Sequence, residues 1–454
     1  MTLTLSFLGG AGTVTGSRYL LDDGEHRVLL DCGLFQGLKQ LRLRNWAPFP
    51  VPPKTISAAV LTHAHLDHSG FLPGLVRDGF AGKVHCSDAT RELCEILLAD
   101  SARLQEQDAQ YANRRGFSKH RPALPLYTVN DAERALARLS PMPFDTEREV
   151  TGGLKVRLRR AGHLLGAAIV ECAWRGTKLV FSGDLGRYDD PMMLDPSPVE
   201  HADYIVVEST YGDRRHDRGD PQVALAEIIE RTTGRGGTVI VPAFAVGRAQ
   251  SLLYHLEQLK SAGRLANVPI FLNSPMAVDA SDILCRHMDD QRLSQAACRA
   301  ACGVAEYVRE VEASKALNEN PVPKVIVSAS GMATGGRVLH HLKRYAPDPR
   351  NTILFAGFQA AGTRGAAMLA GAETVKIHGE YIPVRAEVKN LPMLSAHADA
   401  EEILRWLRNF RRPPRMTFVT HGEPTASDVL RRRIQDELGW QATVPEHLEK
   451  ANLE

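Results

Sequence analysis

The chain has 454 residues, of which 44% are hydrophobic and 24% charged, with glycine and proline dispersed rather than blocked. That excludes a disordered or collagenous protein and leaves room for two or three domains, each with its own core. Lys+Arg 55 against Asp+Glu 53 gives a formal charge of +2, so no strong basic field advertises nucleic acid, although a near-neutral total can hide a basic groove.

Thr2–Leu8 alternates apolar and polar residues, the pattern of a half-buried strand, and Ser17–Asp22 and His26–Asp31 repeat it as antiparallel β. No basic leader precedes that first strand, and no apolar run reaches the ~18 residues of a membrane helix, so a soluble cytoplasmic protein is expected. A Pro-rich loop then leads into an apolar strand at Ala58–Leu61. Helical patterns follow at Asp88–Arg103 and Asp131–Leu139, then strands at Leu154–Arg159, Ala167–Trp174 and Lys178–Ser182. From about residue 202 the rhythm becomes strand–helix–strand: Tyr204–Glu208, Pro221–Thr232, Thr238–Pro242, Val246–Lys260 and Pro269–Leu272, with further strands at Val325–Ser328 and Thr352–Phe355. Such alternation predicts a mostly parallel sheet with helices on both faces. Met416–Thr420 is a last strand between two helical segments, and the basic run Arg431–Arg433 reads first as a solvated helix face, second as a phosphate patch. The seven cysteines (Cys32, Cys86, Cys94, Cys172, Cys285, Cys298 and Cys302) are scattered and odd in number, with no Cys-x-x-Cys pair. A reducing compartment without a disulfide framework or zinc finger is expected.

The strongest chemical signal is His63-x-His65-x-Asp67-His68 directly after the strand Ala58–Leu61. A strand end and tight turn can aim His63 and His65 at one metal and Asp67 and His68 at a second; imidazole and carboxylate suit zinc and also accept manganese or iron. His163, Asp184 and His421 each close a strand beside a glycine, where a rigid sheet fixes a ligand and the backbone can approach closely.

The order Asp31, His63-x-His65-x-Asp67-His68, His163, Asp184 resembles the metallo-β-lactamase fold, an αββα sandwich with metals at one edge. Glu208, Ser395-Ala396-His397-Ala398-Asp399 and His421 further resemble motifs A, B and C of the β-CASP ribonucleases, and the segments 242–250, 328–337 and 358–365 resemble that family's inserted domain. The resemblance implies an α/β architecture with the metallo-β-lactamase domain in two parts, 1–204 and 393–454, around a β-CASP insert at 205–392. It implies two zinc ions per chain: one on His63, His65 and His163, the other on Asp67, His68 and His421, with Asp184 bridging. Two cations about 3.5–4 Å apart lower the pKa of a shared water and clamp a phosphodiester. Asp67 would also steer the attacking water, and Asp31 would orient a ligand histidine from behind.

A departing 3′-oxygen needs a proton, and His397, held protonated by Glu208, is the candidate general acid. The competing reading is a core histidine. Ser395 is a candidate phosphate donor or, nearly as well, a helix N-cap. Ser330, Gly335 and Gly336 lie in a glycine-rich strand-to-helix loop whose N–H groups can hold a phosphate, and Arg248 and Arg364 can add charge. His378-Gly379-Glu380 repeats His421-Gly422-Glu423 but reads as a hairpin turn without a metal role, while the loop from Gly9 to Gly16 is a turn at the rim of the site. The expected activity is hydrolysis of single-stranded RNA to 5′-phosphate and 3′-hydroxyl ends, endonucleolytic or 5′→3′ exonucleolytic, by a monomer or homo-oligomer away from membranes. The alternatives are a DNA nuclease of the same superfamily and a catalytically silent RNA-binding scaffold. A small-ester hydrolase would not need so large an insert.

Overall fold

The computed structural model describes residues 2–116 and 118–453. They divide into two compact units: residues up to Arg215 together with those from His397 onward, and His216–Ala396. The second unit thus differs at both ends from the expected insert at 205–392. At its start the reason is Tyr204–Glu208, which runs parallel to Thr177–Phe181 on one side and to Met416–Thr420 on the other and so belongs inside a sheet of the first unit.

In the first unit, seven strands form one sheet in the order Lys450–Leu453, Leu3–Gly9, Arg18–Asp22, Arg27–Leu30, Ala58–Val60, Lys83–Cys86, Leu139–Pro141. Seven more form a second: Ala442–Thr443, Met416–Thr420, Tyr204–Glu208, Thr177–Phe181, Ala168–Trp174, Leu154–Arg160, Glu147–Thr151. Side chains alternate along each strand, so Leu5, Phe7, Leu21, Val28, Leu30 and Val60 meet Val156, Leu158, Val170, Leu179, Phe181 and Phe418 in a shared core. Helices pack outside. Asp88–Arg115 lies against Leu139–Pro141, and Pro424–Leu438 against Met416–Thr420, giving the αββα sandwich.

Several elements differ from expectation. The helix predicted at Asp88–Arg103 continues to Arg115: Ser87 caps its start by accepting the Thr90 N–H, and Gly116, at φ 66°, ends it. The polar segment 104–115 weakens the periodic signal but contains strong helix formers. The helix predicted at Asp131–Leu139 is corrected to Val129–Leu136, begun by a Thr128–Asp131 capping box. Leu139 instead opens a three-residue edge strand beside Lys83–Cys86. The basic run lies on the helix Pro424–Leu438, with Arg432 exposed and Arg431 and Arg433 half-buried. Arg431 and Arg432 pair with Asp428, and Arg433 with Glu437 and Glu401.

The second unit holds a parallel sheet in the order Glu306–Tyr307, Ile270–Leu272, Val325–Ser328, Val239–Pro242, Thr352–Phe355, Glu387–Asn390. Both faces are covered. Val239, Val241, Val325, Val327 and Leu354 point into one core, while Ile240, Ile326, Ile353 and Phe355 point into the other. No disulfide framework was expected, and among the described residues Cys285 and Cys298 form one disulfide. No described helix is long and apolar enough to cross a membrane.

Candidate metal centre

Every candidate ligand in the first unit stands at the carboxyl end of a strand or in the turn beyond it. Asp31 follows Arg27–Leu30, His63 follows Ala58–Val60, His163 follows Leu154–Arg160, Asp184 follows Thr177–Phe181, and His421 follows Met416–Thr420. His65 precedes the short helix Leu66–Ser69, which presents Asp67 and His68. That turn packs tightly: a Cβ on Gly33 would sit 1.6 Å from the Asp67 carbonyl oxygen, so only glycine fits there.

The donor atoms converge in two sets. His63 Nε2 and His163 Nε2 lie 3.2 and 3.3 Å from His65 Nδ1, and both face Asp184 Oδ2, at 3.5 and 3.7 Å. His68 Nε2 and His421 Nε2 lie 3.3 and 3.5 Å from the other oxygen, Asp184 Oδ1, and Asp67 Oδ2 is 3.9 Å from His421 Nε2. Asp184 therefore turns one oxygen to each set.

These groups fit metal ions. Nitrogens about 2.0–2.1 Å from one tetrahedral zinc stand roughly 3.3 Å apart, close to the separations found here. The Nε2 of His68 and the Oδ1 of Asp184 are fully buried and face each other at 3.3 Å without hydrogen-bond geometry, an arrangement that a cation between them would satisfy. Burial also holds His63 and His163 well below the ordinary imidazole pKa and His421 down to about 4, so their nitrogens are uncharged donors. For Asp184, burial favours protonation, yet His421, His68 and His63 together hold its carboxyl well below the usual range.

A supporting layer fixes the ligands. Asp31 Oδ2 meets His68 Nδ1 at 2.7 Å, while its two oxygens accept the Thr62 N–H and hydroxyl at 2.7 and 2.9 Å. Ser17 Oγ meets His421 Nδ1 at 2.7 Å, and the His421 N–H donates to the Gly10 carbonyl, placing the glycine loop beside a ligand. Ser17 and Thr62 escaped the sequence reading. Ser17 lies 404 positions from His421, and a serine after a glycine turn carries no signal of its contact.

Beside the ligands stands a second pair. Glu208 is buried, and its Oε1 accepts the Leu185 N–H at 2.6 Å. Its oxygens lie 3.3 and 3.1 Å from His397 Nδ1. Burial disfavours charge on His397, but Glu208 above all, then Asp184 and Asp67, raises its pKa overall. The ring lies 4.4 Å from that of His163. Asp399, not Ser395, caps the following helix, accepting the Glu401 and Glu402 N–H groups.

The remaining candidates lie in the second unit, where Val239–Pro242, Val325–Ser328 and Thr352–Phe355 are adjacent and parallel. Their following loops share one carboxyl edge. Arg248 opens the helix Arg248–Ser261, and its guanidinium lies over Gly357. Ser330 Oγ accepts the Thr334 N–H at 3.0 Å, and open space surrounds the Cα of Gly335. Gly336, at φ 76°, lies against the carbonyl of Ala329. Arg364 donates to the carbonyls of Lys376, Ala333 and Thr334, an engagement that ties the loops together.

A sandwich carrying clustered histidines and aspartates at its strand ends is the architecture of a metal-dependent hydrolase. Comparison with known proteins narrows the class. Residues 11–242 match the metallo-beta-lactamase superfamily, 249–368 the Beta-Casp domain, and 381–445 the Zn-dependent metallo-hydrolase RNA specificity domain. Ribonuclease TTHA0252 of Thermus thermophilus is 41% identical over 422 residues, which span 91% of this chain and 92% of that protein. Transcription termination factor FttA of Methanocaldococcus jannaschii is 29% identical over 98% of this chain and 71% of its own length. A crystal structure of a protein of unknown function from Enterococcus faecalis shares the fold at TM-score 0.54 and 12% identity, each chain covered fully. The chain belongs to the metallo-β-lactamase superfamily and, within it, to the β-CASP nucleases.

Proposed function

We propose that the protein is a ribonuclease that hydrolyses single-stranded RNA with two zinc ions. One is held by His63, His65 and His163, the other by Asp67, His68 and His421, and Asp184 serves both. The observation that carries this reading is the division of Asp184 between two donor sets, with the His397–Glu208 pair alongside. When bound, the ions supply a water of lowered pKa and positive charge against the phosphate. Asp31 and Ser17 hold His68 and His421 in orientation. Asp67 accepts a proton from the attacking water and aligns it. Glu208 accepts the Nδ1–H of His397, so Nε2 carries the proton that moves to the 3′-oxygen as its bond to phosphorus breaks. Oxygen from water then remains on phosphorus, leaving a 5′-phosphate and a 3′-hydroxyl. Ser395 and the loops carrying Ser330, Gly335, Gly336, Arg248 and Arg364 are proposed to contact the RNA backbone.

The test compares stripped and zinc-reloaded protein on internally labelled RNA and on DNA of the same sequence, with the products sized. Cleavage of RNA only after reloading is expected. Equal cleavage of DNA would make the protein a general nuclease, and binding without cleavage would make it a scaffold; either result overturns the proposal.

A further inference from the structure

Three cysteines of the second unit gather at one point. Cys285 caps the end of the helix Pro275–Leu284, and Cys298 and Cys302 lie four residues apart on the helix Gln295–Gly303, hence on one face. Cys298 is bonded to Cys285, and Cys302 Sγ stands 3.6 Å from Cys285 Sγ. All three sulfurs lie within 4.8 Å of one another. A disulfide staple requires two of them; the position of the third is unexplained by it. Thiolates about 2.3 Å from one zinc stand roughly 3.8 Å apart, close to the Cys285–Cys302 separation. The other free cysteines, Cys32, Cys86, Cys94 and Cys172, are all buried and lie in the first unit.

We propose that Cys285, Cys298 and Cys302 form a second metal site, for a thiophilic d10 cation such as zinc or cuprous ion, distinct in chemistry from the histidine–aspartate centre. The disulfide is its closed state. A dithiol reductant supplies two electrons and two protons to split the Cys285–Cys298 bond into two thiols and is itself oxidised to a disulfide. The ion then displaces protons from the three thiols. Soft sulfur donors select such ions over magnesium or calcium, and three sulfurs suit cuprous ion directly or zinc with one added ligand.

The test uses the full chain, stripped of metal and titrated with cadmium, whose thiolate charge-transfer absorption the histidine–aspartate centre cannot produce. The reduced protein should develop that absorption to saturation with one cadmium beyond those taken up by the histidine–aspartate centre, and the oxidised protein should not. Cys302→Ser should weaken the thiolate-bound ion at least tenfold, whereas Cys172→Ala should leave it unchanged. Displacement of cadmium by zinc and by cuprous ion then ranks the two. Circular dichroism checks each fold, and Cys298→Ala replaces Cys302→Ser should the latter unfold. Reduced protein with reactive thiols but no thiolate band, or a Cys302→Ser titration matching the wild type, would overturn the proposal.

Discussion

The tripeptide His-Gly-Glu occurs twice, at 378–380 and 421–423, and in both copies the histidine has a left-handed backbone, with φ 49° and 48°. There the likeness ends. His378 and Gly379 turn the hairpin between Thr374–Ile377 and Glu380–Pro383, exposed, with the His378 ring 4.9 Å from that of His340. Gly379 supplies a second positive φ, as a two-residue hairpin turn requires, and nothing crowds it. His421 follows an interior strand, is 3% exposed, and lies 3.5 Å from Asp184. Gly422 has a different reason to be glycine, since a Cβ there would meet Ser209 Oγ at 2.1 Å. The contrast teaches that the tripeptide confers a conformation, and the chemistry comes from what the strand end faces.

The largest effects should separate these two copies. His421→Ala should lower zinc content and reduce cleavage beyond the roughly 10²–10⁴-fold that removing a positioned acid costs, while His378→Ala stays within about twofold of wild type in single-turnover cleavage. Substantial loss in His378→Ala would break the comparison. Next comes His397→Ala, expected to lose roughly 10²–10⁴-fold in rate with zinc and RNA affinity retained; a parallel loss of zinc would make His397 a ligand instead. Asp31→Asn should weaken zinc about 10–100-fold, measured by competition with a chelator, because His68 loses the carboxylate that orients it.

The pH profile sharpens the same distinction. His397 acts in its protonated form, so activity present at low pH falls as pH rises through its pKa. Glu208 raises that pKa, and Glu208→Gln should move the alkaline limb to lower pH without changing zinc content. An unmoved limb would detach Glu208 from the proton transfer. The smallest effect is on stability. His378→Gly should stabilise by up to about 1 kcal/mol in thermal unfolding, because glycine adopts the left-handed turn without strain.

The ligands were legible because strands with apolar or alternating patterns lead into their turns, and because four of them fall within six positions. Their supports were not. Ser17 reaches His421 across 404 positions, and nothing local in Gly16-Ser17 foretells the contact. Tyr204–Glu208 is buried throughout, the same pattern as the parallel strands of the second unit, so only its pairing with Thr177–Phe181 and Met416–Thr420 reveals its sheet. Leu139–Pro141 is too short to show a strand period and lies at a sheet edge, where proline is tolerated. The Cys285–Cys298 bond was hidden for a related reason: its 13-residue spacing spans two helices and fixes no partner.

The most direct test of the central claim is to cleave a defined RNA in ¹⁸O-enriched water and analyse the termini by mass spectrometry. Hydrolysis at this centre predicts one ¹⁸O in each new 5′-phosphate, paired with an unlabelled 3′-hydroxyl. A 2′,3′-cyclic phosphate opposite an unlabelled 5′-hydroxyl would make the ribose hydroxyl the nucleophile and contradict the account.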